Sequence, residues 1–372
     1  MQSTDVLVIG GGVIGCSIAY YLRKRAIDVT LLERGRIGGG TSSSAAGLFA
    51  WLKPMAKFDA YHRLLLASSQ LLPTLVAELE DATGLTVEYA QTGTLRTIHH
   101  EVRIARLQSW LAVCRNQGLA VELLDAEAVR QRVPLIAPDT YGAVWFPSEA
   151  QVRASLFVAA LARAAHISGA SLYEQQDVVS IQTQGQRVLS VTTAQNTTFA
   201  CQHLIIAAGA WSANWSPWLN QNLPVVPQCG QLIALKQPTP TLCHMLIGKG
   251  IYLAPKQDGT VVVGATRDDT GFDCQITPEG IAMLRASAQK LVPALASAEL
   301  VQSWAGLRPK TPDTRPILGS LPTWNNVTLA IGHYSYGILL SAITGQQIAA
   351  SLASQQPSAL LQPFSLTRFD HL

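Results

Sequence analysis

Three glycines and one acid carry the first chemical statement of this chain. The stretch "VIGGGVIG" at 8–15 sets Gly10, Gly12 and Gly15 in the spacing G-x-G-x-x-G, and Glu33 follows at the end of "IDVTLLE". In such a spacing the first glycine permits a tight turn and the second lets backbone approach a pyrophosphate. The third lets a helix pack closely on a strand. An acid about 20 residues further on can accept hydrogen bonds from a ribose hydroxyl. The chemistry is the binding of a dinucleotide by N–H groups at a helix start, where the dipole is positive. Arg34 would suit a 2′-phosphate, but the acid directly before it argues against one.

A strand, a turn, a helix and a second strand must position these residues. Val6, Leu7, Val8 and Ile9 form a continuous apolar run, as in a strand buried on both faces. After Glu33 the chain enters "RGRIGGGTSSSAAGLFAW", a Gly- and Ser-rich segment that can lie against a ligand and offer N–H and hydroxyl donors. Two later stretches repeat the strand–glycine theme: "HLIIAAGAWS" with Gly209, and "VTLAIGHYSYGILLSAITG" with Gly332 and Gly337. Three separated elements of this kind suggest one long cofactor threaded past three loops, and FAD has that length.

On these residues the chain resembles the D-amino-acid oxidase family of FAD enzymes, with glycine oxidases as the nearest branch. "AAGAWS", "WAGLRPKTPDTRPILG" at 304–319 and "GHYSYGILLSAITG" at 332–345 carry the resemblance, which runs from about Asp5 to about Leu352. It implies an α/β fold, α+β overall: a Rossmann-like FAD-binding domain interleaved with a mostly antiparallel β substrate domain. The resemblance assigns Val13, Ile14, Glu33 and Arg34 to the AMP half of FAD, beside the glycines Gly10, Gly12 and Gly15. Thr41, Ser42, Ala46, Gly47 and Leu48 line the pyrophosphate and flavin. Val178 touches the adenine region through its backbone, and Gly209 closes the middle strand. His333, Tyr334, Ser335, Tyr336, Gly337, Ile338 and Leu339 wrap the isoalloxazine. The implied reaction is oxidation of glycine, sarcosine or a small D-amino acid to an imine, with O2 reduced to H2O2. Such an imine can feed the thiazole branch of thiamine synthesis.

An amino-acid substrate brings a carboxylate, and a guanidinium fork is its natural clamp. Arg308, between an apolar Trp-containing run and Pro309, is the candidate, with Tyr252 in "GIYLAP" as a second donor. Glycine oxidases often carry a further Arg where this chain has Ser335, and Arg267 in "GATRDD" stands where an apolar residue is usual. Arg267 could therefore reach the cavity and replace the missing charge. No general base, Ser/His/Asp triad, paired carboxylate or metal-ligand spacing is apparent, so no metal is expected. Relatives with covalent flavin use a cysteine near the position of Arg308. No cysteine here lies beyond 274, so the FAD is expected to be non-covalent. Asp268 and Asp269 read as a solvated turn, and His99 and His100 as a polar strand end.

Composition bounds the alternatives. Of 372 residues 48% are hydrophobic and 14% charged, with a net charge of +3, which suits a core-rich globular protein and no nucleic-acid partner. No apolar run is long enough for a spanning helix, no signal peptide is evident, and the six cysteines are scattered. A cytoplasmic protein with reduced thiols is expected, as a homo-oligomer. The apolar, basic segment "LFAWLKPMAKF" at 48–58 reads as an active-site entrance, though its composition could touch a membrane surface. It keeps open a dehydrogenase that passes electrons to a membrane quinone. A flavin-binding partner subunit without turnover is a third reading, opposed by the intact clamp.

Helical patterns occupy about 59–82 and 154–167, with turns expected at Gly185, at 194–196 and at Asp258–Gly259. The expected FAD-binding domain comprises 1–85, 145–220 and 325–372. The expected substrate domain comprises 86–144 and 221–324.

Overall fold

The opening apolar run becomes the centre of a sheet. The computed structural model describes residues 2–52, 57–100 and 102–370. Strand Gln2–Ile9 lies between Thr198–Ile206 and Val29–Leu32, and the sheet continues to Val327–Ile331 on one side and Ser171–Tyr173 on the other. All of these pairings are parallel. Ile317–Ser320 adds an antiparallel edge, and the hairpins Val178–Gln184, Arg187–Thr193 and Thr198–Ile206 extend the sheet. Gly185 and Asn196, both at positive φ, turn those hairpins.

Alternation along the central strand sorts the core. Val6 and Val8 pack with helices Val13–Arg23, Ala60–Thr83, Ala154–Ile167 and Gly337–Ser354. Leu7 and Ile9 face the other way, toward Phe199, Leu204, Trp215 and Leu366. Helix Ala60–Thr83 starts at Asp59, whose carboxylate accepts from the Tyr61 and His62 amides, and stops at left-handed Gly84. Helix Ala154–Ile167 matches its expected span.

The second sheet runs Leu300–Lys310, Val226–Lys236, Thr260–Gly264, Ile251–Pro255, Met245–Gly248, Thr94–Ile98, Gly142–Phe146, Glu122–Asp125. It is antiparallel except where Met245–Gly248 meets Thr94–Ile98. Ile233, Leu235, Val261 and Val263 pack on helix Pro278–Leu291. The opposite face, with Leu232, Ala254, Val262, Tyr252 and Trp304, turns toward Ala46 and Leu48. The expected boundary at 325 falls after a strand of the first sheet, Ile317–Ser320. That at 145 falls inside a strand of the second, Gly142–Phe146.

Two expectations need correction. Cys229 and Cys274 are joined by a disulfide and are not free thiols; scattered spacing said nothing of two residues 45 apart that meet across a strand. Asp268 is not a solvated turn residue, because its backbone bridges to Cys229, whereas Asp269 is exposed as expected. Asp268 accepts from Gln231 Nε2 at 3.0 Å and Thr266 Oγ1 at 2.6 Å, and Asp269 from Gln228 Nε2 at 2.8 Å. In the 48–58 segment, Phe49, Trp51 and Leu52 are buried in the core. Residues 53–56 lie outside the described residues. Among the described residues no helix is long and apolar enough to cross a membrane.

Two buried histidines give the fold a pH dependence. Burial pushes His203, bonded to Thr328, down to about 4, and His333, bonded to Thr344, down to about 3. Both lie below the ordinary value of 6.5. Between that value and about 4 the unfolded chain binds protons that the native state refuses, so stability present above pH 6.5 is lost as pH falls. For His203 the contribution is on the order of 3 kcal/mol. The melting temperature of the wild type should drop more steeply from pH 7 to 4.5 than that of His203→Gln. Parallel curves would contradict the assignment.

Candidate active site

Two cavities, of about 380 and 320 Å³, meet where Thr41 and Ser42 line both. Together they form one slot from the tip of the first sheet to the face of the second. The smaller cavity is lined by Gly10, Gly12, Glu33, Arg34, Val178 and Gly209, with Trp211. The larger is lined by Val13, Ala46, Gly47, Leu48, Tyr252, Arg267, Arg308, Tyr334, Ser335, Tyr336, Gly337 and Ile338. Four expected residues line neither. Ile14 and Leu339 are buried in the core, Gly15 packs helix on turn, and His333 is buried against Thr344.

The glycine turn has the geometry that a pyrophosphate needs. Gly10 adopts φ +110°, and a Cβ there would collide with the Ala207 carbonyl. A Cβ at Gly15 would collide with the Gly10 carbonyl. At Gly12 a Cβ would meet only Ser42 Oγ, at 3.1 Å, and would fill the slot itself. Helices Val13–Arg23 and Gly337–Ser354 both begin at the slot; the Val13 amide donates to Ser42 Oγ at 2.9 Å, and Gly337–Ser354 starts without a side-chain cap, so its first N–H groups face the slot as donors. Glu33 is held by the amides of Gly11 at 2.7 Å and Gly35 at 2.8 Å, and Arg34 stacks on Trp211 at 3.7 Å. The slot is long, uncharged at its turn and donor-rich, as an FAD pyrophosphate flanked by an adenosine and a flavin requires.

Above the flavin end, the second sheet lays two polar side chains flat. Register places Ile247, Tyr252, Gly264, Leu232 and Trp304 in one row across five strands. A Cβ at Gly264 would occupy the place of the Tyr252 ring and hydroxyl. A Cβ at Gly230 would occupy that of the Arg308 guanidinium. Arg308 Nη1 donates to the carbonyls of Cys229 at 3.2 Å and Thr266 at 3.0 Å, which leaves Nη2 and Nε toward the cavity. Burial lowers the Arg308 pKa, with Tyr252 and Tyr334 opposing, but a guanidinium stays charged. Burial pushes the Tyr252 phenol up to about 12, so it keeps its proton and can donate.

Several contributors were not apparent from sequence. Arg96 lines the cavity, and its Nη2 lies 3.7 Å from the buried carboxylate of Glu149. Lys256 Nζ donates to the Ala46 carbonyl at 2.7 Å, Gln151 Oε1 at 2.9 Å and the Val152 carbonyl at 3.1 Å, tying the flavin-side segment to the second sheet. Burial pushes its pKa down to about 7. Gly230, Gly264 and Gly306 did leave a signal: glycine inside a strand often marks a close approach.

Comparison with known proteins agrees with the geometry. Residues 5–351 match the family model described as FAD dependent oxidoreductase. The chain is 35% identical over 366 residues to a glycine oxidase of Geobacillus kaustophilus, covering 98% of this chain and 97% of that one. The crystal structure of glycine oxidase from that organism superposes with a TM-score of 0.93 at 34% identity over 99% of both chains. A bifunctional protein ThiO/ThiG of Trichormus variabilis is 34% identical over 375 residues, 99% of this chain but 55% of that protein.

A Gly230→Ala variant tests the flat-lying guanidinium. It should retain flavin and raise the KM for a small amino acid by about tenfold or more, as loss of one charge-assisted hydrogen bond does. An unchanged KM would show that Arg308 does not need that space.

Proposed function

The chain belongs to the FAD-dependent oxidoreductase family, and from that premise we propose that it oxidises glycine, sarcosine or a small D-amino acid to the imine, with O2 reduced to H2O2. FAD is the cofactor, and when bound it accepts a hydride from the substrate and is reoxidised by O2. The observation that carries the reading is the clamp: a charged Arg308 fork and a protonated Tyr252 side by side over two side-chain-free strand positions.

Gly10 and Gly12 would hold the pyrophosphate side of the FAD, with Gly15 packing the helix behind them, Glu33 and Arg34 the adenosine, and Ala46 to Leu48 with Gly337 and Ile338 the flavin. Arg308 and Tyr252 bind the substrate carboxylate, which fixes Cα against the flavin face. Among the described residues lining this cavity there is no Asp, Glu or His, while Arg96, Arg267 and Arg308 are cationic. That field disfavours an ammonium and so helps the substrate amine lose its proton, which hydride departure requires. The imine leaves and hydrolyses to a 2-oxo acid and ammonia, or to methylamine when the substrate is sarcosine. Relatives whose names join this activity to ThiG support a role for the glycine imine in thiazole formation. The reaction is assigned to the cytoplasm. Trp51 and Leu52, in the segment that keeps the quinone-linked alternative open, are buried.

Ser335 and Arg267 both line the cavity, so the expected exchange of charge between them is spatially consistent. Arg267 would then assist the clamp.

Anaerobic mixing with glycine, sarcosine, D-alanine, D-proline and L-amino acids should bleach the flavin band with at least one of the first four, and air should restore it. Arg267→Met should raise the KM of that substrate several-fold. Bleaching by none of them would overturn the reading; colour returning only with an added quinone would assign a dehydrogenase.

A further inference from the structure

The disulfide sits where it can act on the clamp. Cys229 lies on strand Val226–Lys236, one residue before Gly230, and its carbonyl accepts from Arg308 Nη1 at 3.2 Å. Its backbone pairs with Asp268 through hydrogen bonds of 2.9 and 3.0 Å. Cys274 lies further along the segment that begins with Thr266, the second carbonyl acceptor of Arg308. The same segment carries Arg267 into the cavity, and its Phe272 stacks on Trp211, which holds Arg34 at the dinucleotide end. One covalent bond thus fastens a segment that touches the substrate clamp and the adenosine side together.

We propose that Cys229 and Cys274 are a peroxide-responsive pair whose closure tightens the carboxylate clamp, the peroxide being the enzyme's own product. The proposal rests on the oxidase reading for the source of H2O2. Cys274, the less buried of the two, meets the oxidant first. Its thiolate attacks one peroxide oxygen, the O–O bond breaks, and hydroxide leaves and is protonated to water, giving a sulfenic acid. Cys229 Sγ then attacks Cys274 Sγ, the S–O bond breaks, and a second water leaves with the Cys229 proton. Two thiols lose two electrons and two protons, and one H2O2 becomes two H2O. A thiol or phosphine reductant reverses the change. In a reducing compartment a disulfide persists only where something re-forms it, and turnover supplies the oxidant here.

With the bond open, the segment keeps its backbone bridge at Asp268 but loses its anchor at 274, and the two carbonyls that aim Arg308 lose their fixed spacing. The expected effect falls on KM, about five- to tenfold, as loss of an ordinary hydrogen bond would give. It should leave kcat nearly unchanged, because the flavin contacts lie elsewhere in the slot.

The test uses full-length flavin-loaded enzyme in a Cys243→Ser background, which removes the exposed thiol. The enzyme is reduced with a phosphine, desalted, and turned over with the best amino-acid substrate in air, with or without catalase. Thiols are counted by maleimide trapping and mass spectrometry, and KM is followed. Two thiols per chain should disappear during turnover, KM should fall, and catalase should delay both. Cys274→Ser should show the higher KM whether or not reductant is present. Equal KM for oxidised, reduced and Cys274→Ser enzyme would overturn the proposal. So would closure that proceeds equally fast without substrate or with catalase. Added H2O2 on the reduced enzyme, read by how tightly acetate perturbs the flavin spectrum, separates the two readings. A shift there, in an enzyme whose thiols stay open during aerobic mixing with substrate, would indict the oxidase reading and leave the responsive pair standing; no shift would overturn the pair.

Discussion

A long polar side chain can lie flat across a sheet only where the neighbouring strand has no Cβ beneath it. That constraint organises the substrate end of this protein. Gly230 gives its space to Arg308 and Gly264 to Tyr252, while Gly306 admits Ser44 from the flavin-side segment. The three sit on three strands that register holds together, so the clamp and the docking of the first layer on the second depend on the same glycine-bearing face. Trp304, in the same row, fastens that contact by donating from Nε1 to the Ser44 carbonyl at 2.9 Å. Rigid strands therefore carry Arg308 and Tyr252, the arrangement that best preserves orientation.

Burying several cations at one site has to be offset. Arg308 spends one amino group on two carbonyls, and Lys256 meets three oxygens. Arg96 faces Glu149, whose carboxylate is raised by burial and also accepts from the amides of Trp51 at 2.8 Å and Leu52 at 3.0 Å. Each cation is thus held by groups that also fix a segment bordering the cavity. The positive field that discourages an ammonium and the rigidity of the walls come from the same contacts.

What could be read from the chain follows the range of the forces involved. The dinucleotide end was legible because a turn, a helix start and an acid lie within one strand–helix–strand unit, Gly10 to Glu33, where local rules suffice. Hairpins at Gly185 and Asn196 were legible for the same reason. Arg308 and Tyr252 were reached through resemblance, since nothing local brings positions 252 and 308 together; only sheet register does. Arg96 and Lys256 were missed because their roles arise from partners far along the chain. The Cys229–Cys274 bond was missed likewise, and Asp268 was misread because its backbone partner Cys229 and its side-chain partner Gln231 lie on the distant strand Val226–Lys236, although Thr266 is a local partner. The entrance segment was legible in outline, since Leu48 and Ala50 line the cavity, but the Glu149 carboxylate that pins the Trp51 and Leu52 amides inward lies almost a hundred positions away in the chain.

In the proposed reading Arg308, laid over Gly230, would bind a carboxylate above the flavin. Titrating the flavin-loaded enzyme with acetate, a carboxylate without an amine to oxidise, tests this directly through the visible flavin spectrum. A saturable perturbation is expected in the wild type, with a loss of affinity of about a hundredfold in Arg308→Met that still holds its flavin. Equal acetate affinity in the two proteins would contradict it.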